Sequence, residues 1–134
     1  MNNIETLCNN LATKIQSSYE EDITVKEAER LAAEFLHAQL QIVQMLRTLE
    51  LDARMKKAGY KAISAAVYME AATKTDKKPS DTMLQNIVEL SELVQGERNA
   101  LDKAEVQVDE LNNYLSIFKE AHIYYRGIAK GFIG

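Results

Sequence analysis

The sequence predicts an all-α protein in which a short N-terminal helix precedes a long antiparallel helical hairpin with coiled-coil-like packing. Residues that interrupt helices are scarce, because the 134 residues include one proline, Pro79, and five glycines. Sheet proteins need turn residues at intervals of ~8–12 positions, and that supply is missing. Apolar residues instead recur at alternating spacings of three and four, the period of an amphipathic helix. The composition, 46% hydrophobic and 27% charged, is that of a globular protein, and the length predicts a single helical domain over residues 1–134.

The first predicted helix covers residues 3–19. Its apolar residues fall on one stripe, which predicts an amphipathic helix with one buried side. Cys8 lies on that stripe, and we interpret it as a small buried residue. A lone cysteine excludes an intrachain disulfide and favours a reducing compartment. The stripe consists of Ile4, Leu7, Cys8, Leu11, Ile15 and Tyr19.

The second predicted helix covers residues 24–72. Thr24 and Glu27 have the spacing of a capping box, in which the hydroxyl and the carboxylate each accept a hydrogen bond from the backbone of the first turn. Gly59 weakens the helix by about 1 kcal/mol relative to alanine without ending it. Residues 73–79 are the predicted loop, which Pro79 closes. The face that we expect in the hairpin consists of Val25, Ala28, Ala32, Phe35, Gln39, Ile42, Leu46, Leu49, Ala53, Lys56, Tyr60, Ile63 and Val67.

The third predicted helix covers residues 80–126, with Ser80 or Asp81 as its N-cap and Gly127 as its C-cap. Spacings of four and three alternate along its whole length, which indicates a coiled-coil seam. Glu97 and His122 are the polar exceptions, and we interpret His122 as a hydrogen-bonded core residue. The seam positions are Met83, Ile87, Leu90, Val94, Glu97, Leu101, Ala104, Val108, Leu111, Leu115, Phe118, His122 and Tyr125.

The apolar surface is wider than one hairpin seam can bury between residues 31 and 46. The first helix could fold back over part of it, or the chain could self-associate there, and we favour self-association. The predicted oligomer interface consists of Phe35, Leu36, Leu40, Val43 and Leu46.

No group of residues indicates catalysis, a cofactor or a metal site. The chain has two histidines, His37 and His122, and no cysteine or aspartate at ligand spacing around them. The di-iron motif Glu-x-x-His occurs once, at Glu34 and His37, whereas four-helix di-iron sites need it twice. We therefore expect a non-enzymatic protein without cofactors.

A basic block stands out in a chain whose net charge is −4. Residues 54–78 hold seven basic and two acidic residues, and residues 79–120 hold three basic and nine acidic residues. Such a block with an interleaved aromatic could follow a nucleic-acid backbone while a base stacks on the ring. Arg126 and Lys130 form a second basic group at the C-terminus. The candidate nucleic-acid-binding residues are Arg54, Lys56, Lys57, Tyr60, Lys61, Lys74, Lys77, Lys78, Arg126 and Lys130.

An alternative interpretation needs no ligand. In an antiparallel hairpin folded near residues 76–77, residue i faces roughly residue 153 − i. The helical lysines would then lie beside acids of the third helix, and Arg126 could pair with Glu27. Charge pairing within the hairpin would account for most of the basic block. The acids in question are Glu89, Glu92 and Glu97.

The order of elements resembles the small all-α recombination-mediator proteins of tailed phages. The similarity lies in a short first helix, a long helix with a basic and aromatic region, a lysine-containing loop, and a long helix ending in YRGIAK at residues 125–130. It covers about residues 25–130. The resemblance implies ring-like oligomers that bind single-stranded DNA and help a recombinase to displace the single-strand-binding protein.

Together these observations predict a self-associating, non-catalytic binding protein, with single-stranded DNA and a recombinase or another protein as partners. The competing hypothesis is a structural, adaptor, chaperone or inhibitor protein that binds only proteins. No stretch has the ~18 apolar residues that suggest a membrane span, and no secretory signal is recognisable. We expect a cytoplasmic protein that does not bind membranes, located in the host cytoplasm if a phage encodes it.

Overall fold

The computed structural model describes residues 2–20, 22–74, 77 and 79–131, without the side chains of residues 2, 3, 19 and 20. This part of the chain contains four helices and no strand: α1 (Asn2–Glu20), α2 (Val25–Thr73), α3 (Asp81–Leu90) and α4 (Glu92–Ala129). The predicted all-α class is confirmed, and α2 packs against α4 as a helical hairpin. The side chain of Tyr19, the last residue of the predicted stripe, lies outside the described residues.

The ends of α1 and α2 fall within one residue of the predicted ends. Thr24 caps α2, because its Oγ1 accepts a hydrogen bond of 3.1 Å from the backbone N–H of Glu27. Ser80 caps α3 in the same way and accepts from the N–H of Met83 at 3.3 Å. These hydroxyls satisfy backbone donors that have no partner inside the helix.

The predicted continuous helix over residues 80–126 is wrong, because it is broken at Ser91. Ser91 has φ −67° and ψ 127°, which is extended backbone, and its N–H donates to the Val88 carbonyl. Its Oγ accepts from the N–H of Val94 at 3.4 Å. One serine therefore ends α3 and caps α4, and serine suits this position because its hydroxyl competes well for backbone hydrogen bonds.

The break shifts the phase of α3 relative to the predicted seam. Leu84 and Val88 are the buried residues of α3, whereas the predicted seam residues Met83, Ile87 and Leu90 are exposed. Beyond the break most of the predicted seam is buried, while Glu97, Val108, Leu115 and His122 are half-buried. The buried seam residues are Val94, Leu101, Ala104, Leu111, Phe118 and Tyr125.

The C-terminal end of α4 also differs from the prediction. Gly127 lies inside α4 and is not its C-cap. The turn comes at Gly131, whose N–H donates to the Ile128 carbonyl and whose φ is +77°, a conformation that glycine adopts without strain.

The chain forms two compact units, and α2 and α4 each run through both. The first unit comprises Met1–Arg47 and Asp109–Gly134. Its centre is aromatic, since the Phe35 ring lies 5.2 Å from that of Phe118 and 5.6 Å from that of Tyr125. The single-domain organisation stays a prediction.

Helix α1 packs against α2 and α4 within the first unit. Folding back of the first helix was one of the two expected ways to cover the wide apolar surface between residues 31 and 46. The buried residues of α1 are Ile4, Cys8 and Leu11. The Tyr114 hydroxyl of α4 donates to Asn9 Oδ1 at 3.0 Å, and Lys14 pairs with Glu34 of α2 at 2.8 Å. Three of the five described stripe residues are thus buried, with Leu7 and Ile15 half-buried, and polar contacts to α4 and α2 hold α1 in place.

The second unit, Thr48–Val108, has a thinner core. No residue of its α2 segment is fully buried, and the buried residues all come from α3 and α4. A Cβ placed on Gly59 would lie 3.3 Å from Glu97 Oε2, so the glycine permits a close approach to α4. The Tyr68 hydroxyl donates to Asp81 Oδ1 at 2.9 Å. The approach of residue 59 to residue 97 and the bond from residue 68 to residue 81 both lie within about one helical turn of the antiparallel pairing expected from the sequence.

Candidate nucleic-acid interface

Three cations of the basic block share one exposed side of α2. Arg54, Lys57 and Lys61 are all exposed and stand at positions i, i+3 and i+7, which lie above one another on a helix. Each follows a hairpin-facing residue by one position and is therefore turned by about 100° from the seam. At ~1.5 Å per residue, the three cations extend over about 10 Å along the helix. We call these three residues the basic face.

The basic face forms no ion pair with the acids of the hairpin among the described residues. Throughout the described residues, none of Arg54, Lys57 and Lys61 forms an ion pair or a side-chain hydrogen bond. The ion pairs with Glu89, Glu92 and Glu97 that the alternative interpretation expects are therefore not formed by these three cations. The three cations are turned away from the seam, and Glu97 reaches α2 beside Gly59 instead.

Two residues expected in the cluster lie outside the basic face. Lys56 Nζ pairs with Asp52 Oδ2 at 2.9 Å, one turn earlier on the same helix. Tyr60 is half-buried and follows Lys56 by one turn on the hairpin side of α2. The structure thus does not align the aromatic ring with the three unpaired cations.

The remaining basic candidates are spread along the chain. Lys74 and Lys77 are exposed in the loop after α2, and Lys77 interacts with another group of the chain. Lys78 lies outside the described residues. Arg126 and Lys130 are exposed in the other compact unit, and Arg126 does not make the expected ion pair with Glu27.

His122 and Cys8 take part in the packing of the first unit, whereas His37 does not. His122 Nδ1 lies 2.8 Å from the Ala32 carbonyl oxygen, which confirms the predicted hydrogen bond, but His122 is half-buried and not a core residue, and His37 is exposed. Burial raises the pKa of the Cys8 thiol to about 11, with a smaller contribution from the nearby Glu5 carboxylate. Cys8 is therefore a neutral thiol near pH 7. Within the described ranges, no three histidine, cysteine or acidic side chains come together as metal ligands.

The predicted oligomer interface is divided by the fold. Phe35 and Leu46 are buried in the core of the chain and offer no surface to a second copy. Leu36, Leu40 and Val43 are exposed at positions i, i+4 and i+7, and they form one continuous apolar row on α2. This row of three residues stays exposed although α1 packs within the same unit.

The sequence analysis missed a second exposed apolar group. Leu90 and Leu93, on either side of Ser91, are exposed to 77% and 69%, and Met83 and Ile87 continue the group along α3. The available signal was Ser91 followed by Glu92, a common start of a helix. The regular heptad pattern on both sides of Ser91 masked that signal.

Comparison of the chain with protein-family models, with curated proteins and with solved structures gives no significant match. In the part of the chain that the structure describes, every helix is too short or too polar to cross a lipid bilayer.

Proposed function

We propose that this protein is a non-catalytic binding protein that holds the phosphates of single-stranded nucleic acid on the basic face of α2. One observation carries the proposal: Arg54, Lys57 and Lys61 are exposed on one side of a helix and have no acidic partner in the described chain. Three like charges within about 10 Å repel one another, and a chain of phosphates relieves this repulsion while counterions are released.

The finer function is a recombination-mediator role next to a recombinase on single-stranded DNA. Support for it comes from the resemblance in layout to the phage mediators and from the helical hairpin that carries the basic face. The basic face presents charged side chains on an exposed helix surface, which suits contacts with phosphates. Binding would therefore tolerate many sequences, as expected of a protein that acts along single strands. The site of action would be the cytoplasm.

The direct test is fluorescence anisotropy with a labelled oligothymidine at low salt. We expect the wild-type chain to bind, and the triple variant Arg54→Ala/Lys57→Ala/Lys61→Ala to lose most of the affinity. Lys103→Ala is the matched control, because Lys103 is an exposed lysine on α4 outside the basic face. Equal losses from the triple variant and the control would contradict the assignment of the site.

A second candidate function is an adaptor that binds only proteins. The exposed apolar rows favour it, namely Leu36, Leu40 and Val43 on α2, and the group around Leu90 and Leu93. Large exposed apolar surfaces often mark sites of protein association. If the wild-type chain shows no oligonucleotide binding at low salt, the nucleic-acid proposal fails and the adaptor remains.

A further inference from the structure

Helix α3 has two apolar sides, and only one of them is used in the observed packing. Leu84 and Val88 are buried against the rest of the second unit. Met83, Ile87 and Leu90 form a second row and are exposed. The two rows differ by one residue, which corresponds to a rotation of about 100° around the helix axis.

The exposed row fits the seam of α4 better than the buried row does. Counting back from Val94 in steps of four and three gives Leu90, Ile87 and Met83, so a continuous helix would place all three in the seam. In that register Leu90 would be covered and Val88 would face solvent. Val94 is buried in the observed packing and would stay a seam residue in the continuous helix. The sequence therefore supports two registers of the same segment.

The break depends on one backbone torsion. Ser91 already has φ −67°, close to the helical value of about −63°, so the extended ψ of 127° is what separates α3 from α4. No proline or glycine stands at this position, and Gly96 is five residues farther on. The hydrogen bond from the Val94 N–H to Ser91 Oγ and the bond from the Ser91 N–H to the Val88 carbonyl stabilise the extended conformation.

We propose that residues 81–93 exchange between the observed broken register and a continuous helix, and that this exchange exposes or covers the apolar surface of Met83, Ile87 and Leu90. The broken register gains the capping bonds of Ser91 and the burial of Leu84 and Val88. The continuous register gains regular helix hydrogen bonds and buries three apolar side chains. Packed helices change register between discrete arrangements, so two such states can lie close in free energy. The inference does not depend on nucleic-acid binding.

Thiol labelling of single cysteines distinguishes the two registers. In a Cys8→Ala background, cysteine is placed at Val88, Leu90 or Val94, one position per variant. Val88 and Val94 are both buried in the observed register, at 8% and 3% exposure. Exchange predicts that Val88→Cys reacts faster than Val94→Cys, because position 88 becomes exposed in the continuous helix.

The change at Ser91 provides the causal test. Ser91→Ala removes the cap and favours helix, which should shift the equilibrium toward the continuous register by roughly tenfold. Labelling at position 88 should then rise and labelling at position 90 should fall, with position 94 unchanged. Ser91→Asn is the control, since asparagine keeps a capping oxygen and should leave all three rates close to those of the serine protein.

Backbone chemical shifts give a second measurement without introduced cysteines. In the Ser91→Ala chain, the carbon shifts of residues 90–92 should move to helical values. The proposal is overturned if positions 88 and 94 label at the same rate in the serine protein, or if residue 91 stays extended after the change to alanine.

Discussion

Truncation of Phe118 tests the aromatic centre of the first unit in quantitative terms. The side chain is fully buried, and its ring lies 5.2 Å from that of Phe35 and 5.7 Å from that of Tyr114. Phe118→Ala removes a whole ring from a packed core, and such changes cost ~3–5 kcal/mol of unfolding free energy. Each of the two ring pairs contributes ~0.5–1.5 kcal/mol of stability beyond the burial of the ring surface. The hydrogen bond from Gln39 Nε2 goes to the Phe118 backbone carbonyl and should survive the change.

Urea unfolding followed by circular dichroism measures this loss. The matched control is Ile117→Ala, one position earlier on the same helix, where the side chain is 47% exposed. We expect the control to lose ~1 kcal/mol or less, because only part of its surface is buried. A loss at Phe118 no larger than that at Ile117 would refute the packing described for the first unit.

Three further predictions concern the seam, the buried thiol and self-association. Leu101→Asp places an unpaired charge at a buried seam position and should lower the melting temperature strongly. Asp102→Ala, on the exposed side of α4, should change the melting temperature little. Equal effects of the two changes would refute the seam register described for α4. Because burial raises the pKa of Cys8 to about 11, above the ~8.5 of a free cysteine, the unfolded chain loses the thiol proton first as the pH rises. The stability contributed by the neutral thiol is therefore complete below pH ~8.5 and is lost toward pH 11. Over this interval the urea midpoint of the wild-type chain should fall more than that of Cys8→Ala. Equal falls in the two proteins would contradict the raised pKa of Cys8. Light scattering at micromolar concentration should give at least two protomers, and Leu40→Asp should lower that mass while Ile123→Asp does not; a wild-type mass of 15.1 kDa would exclude self-association under these conditions.

The parts of the fold that the sequence predicted are those that depend on local chemistry and on one uninterrupted period. The hydroxyl of Thr24 marks the start of α2, and most of the apolar row from Val94 to Tyr125 is buried, with Val108 and Leu115 half-buried. The prediction failed at Ser91, because a break of one residue is nearly invisible when apolar residues continue the period on both sides. Serine has only a slightly lower helix propensity than its neighbours, so its role as a cap depends on tertiary packing.

The basic block is visible in the sequence, and its division into paired and unpaired cations follows from the spacing of the residues and the phase of the seam. The pairing of Lys56 with Asp52 was within reach of the sequence, because the two residues stand four apart on a helix. Whether Lys57 and Lys61 meet the acids of the opposite helix depends on the rotation of α2 around its own axis. The seam fixes that rotation, and positions that follow seam residues by one lie on the flank. Lys56 and Tyr60 are seam positions, and Arg54, Lys57 and Lys61 each follow a seam position by one residue. The sequence alone therefore distinguishes the basic face from Lys56 and Tyr60.

The salt dependence of oligonucleotide binding tests the central claim, which is that the basic face contacts phosphates. Each phosphate contact on a single strand contributes a slope of ~0.7 in the plot of log affinity against log salt concentration, so three contacts predict a slope near 2. We expect Lys57→Ala/Lys61→Ala to lower this slope by ~1.4 and Lys103→Ala to leave it unchanged. A slope that stays the same in the double variant, or a wild-type chain that does not bind at low salt, would contradict the account.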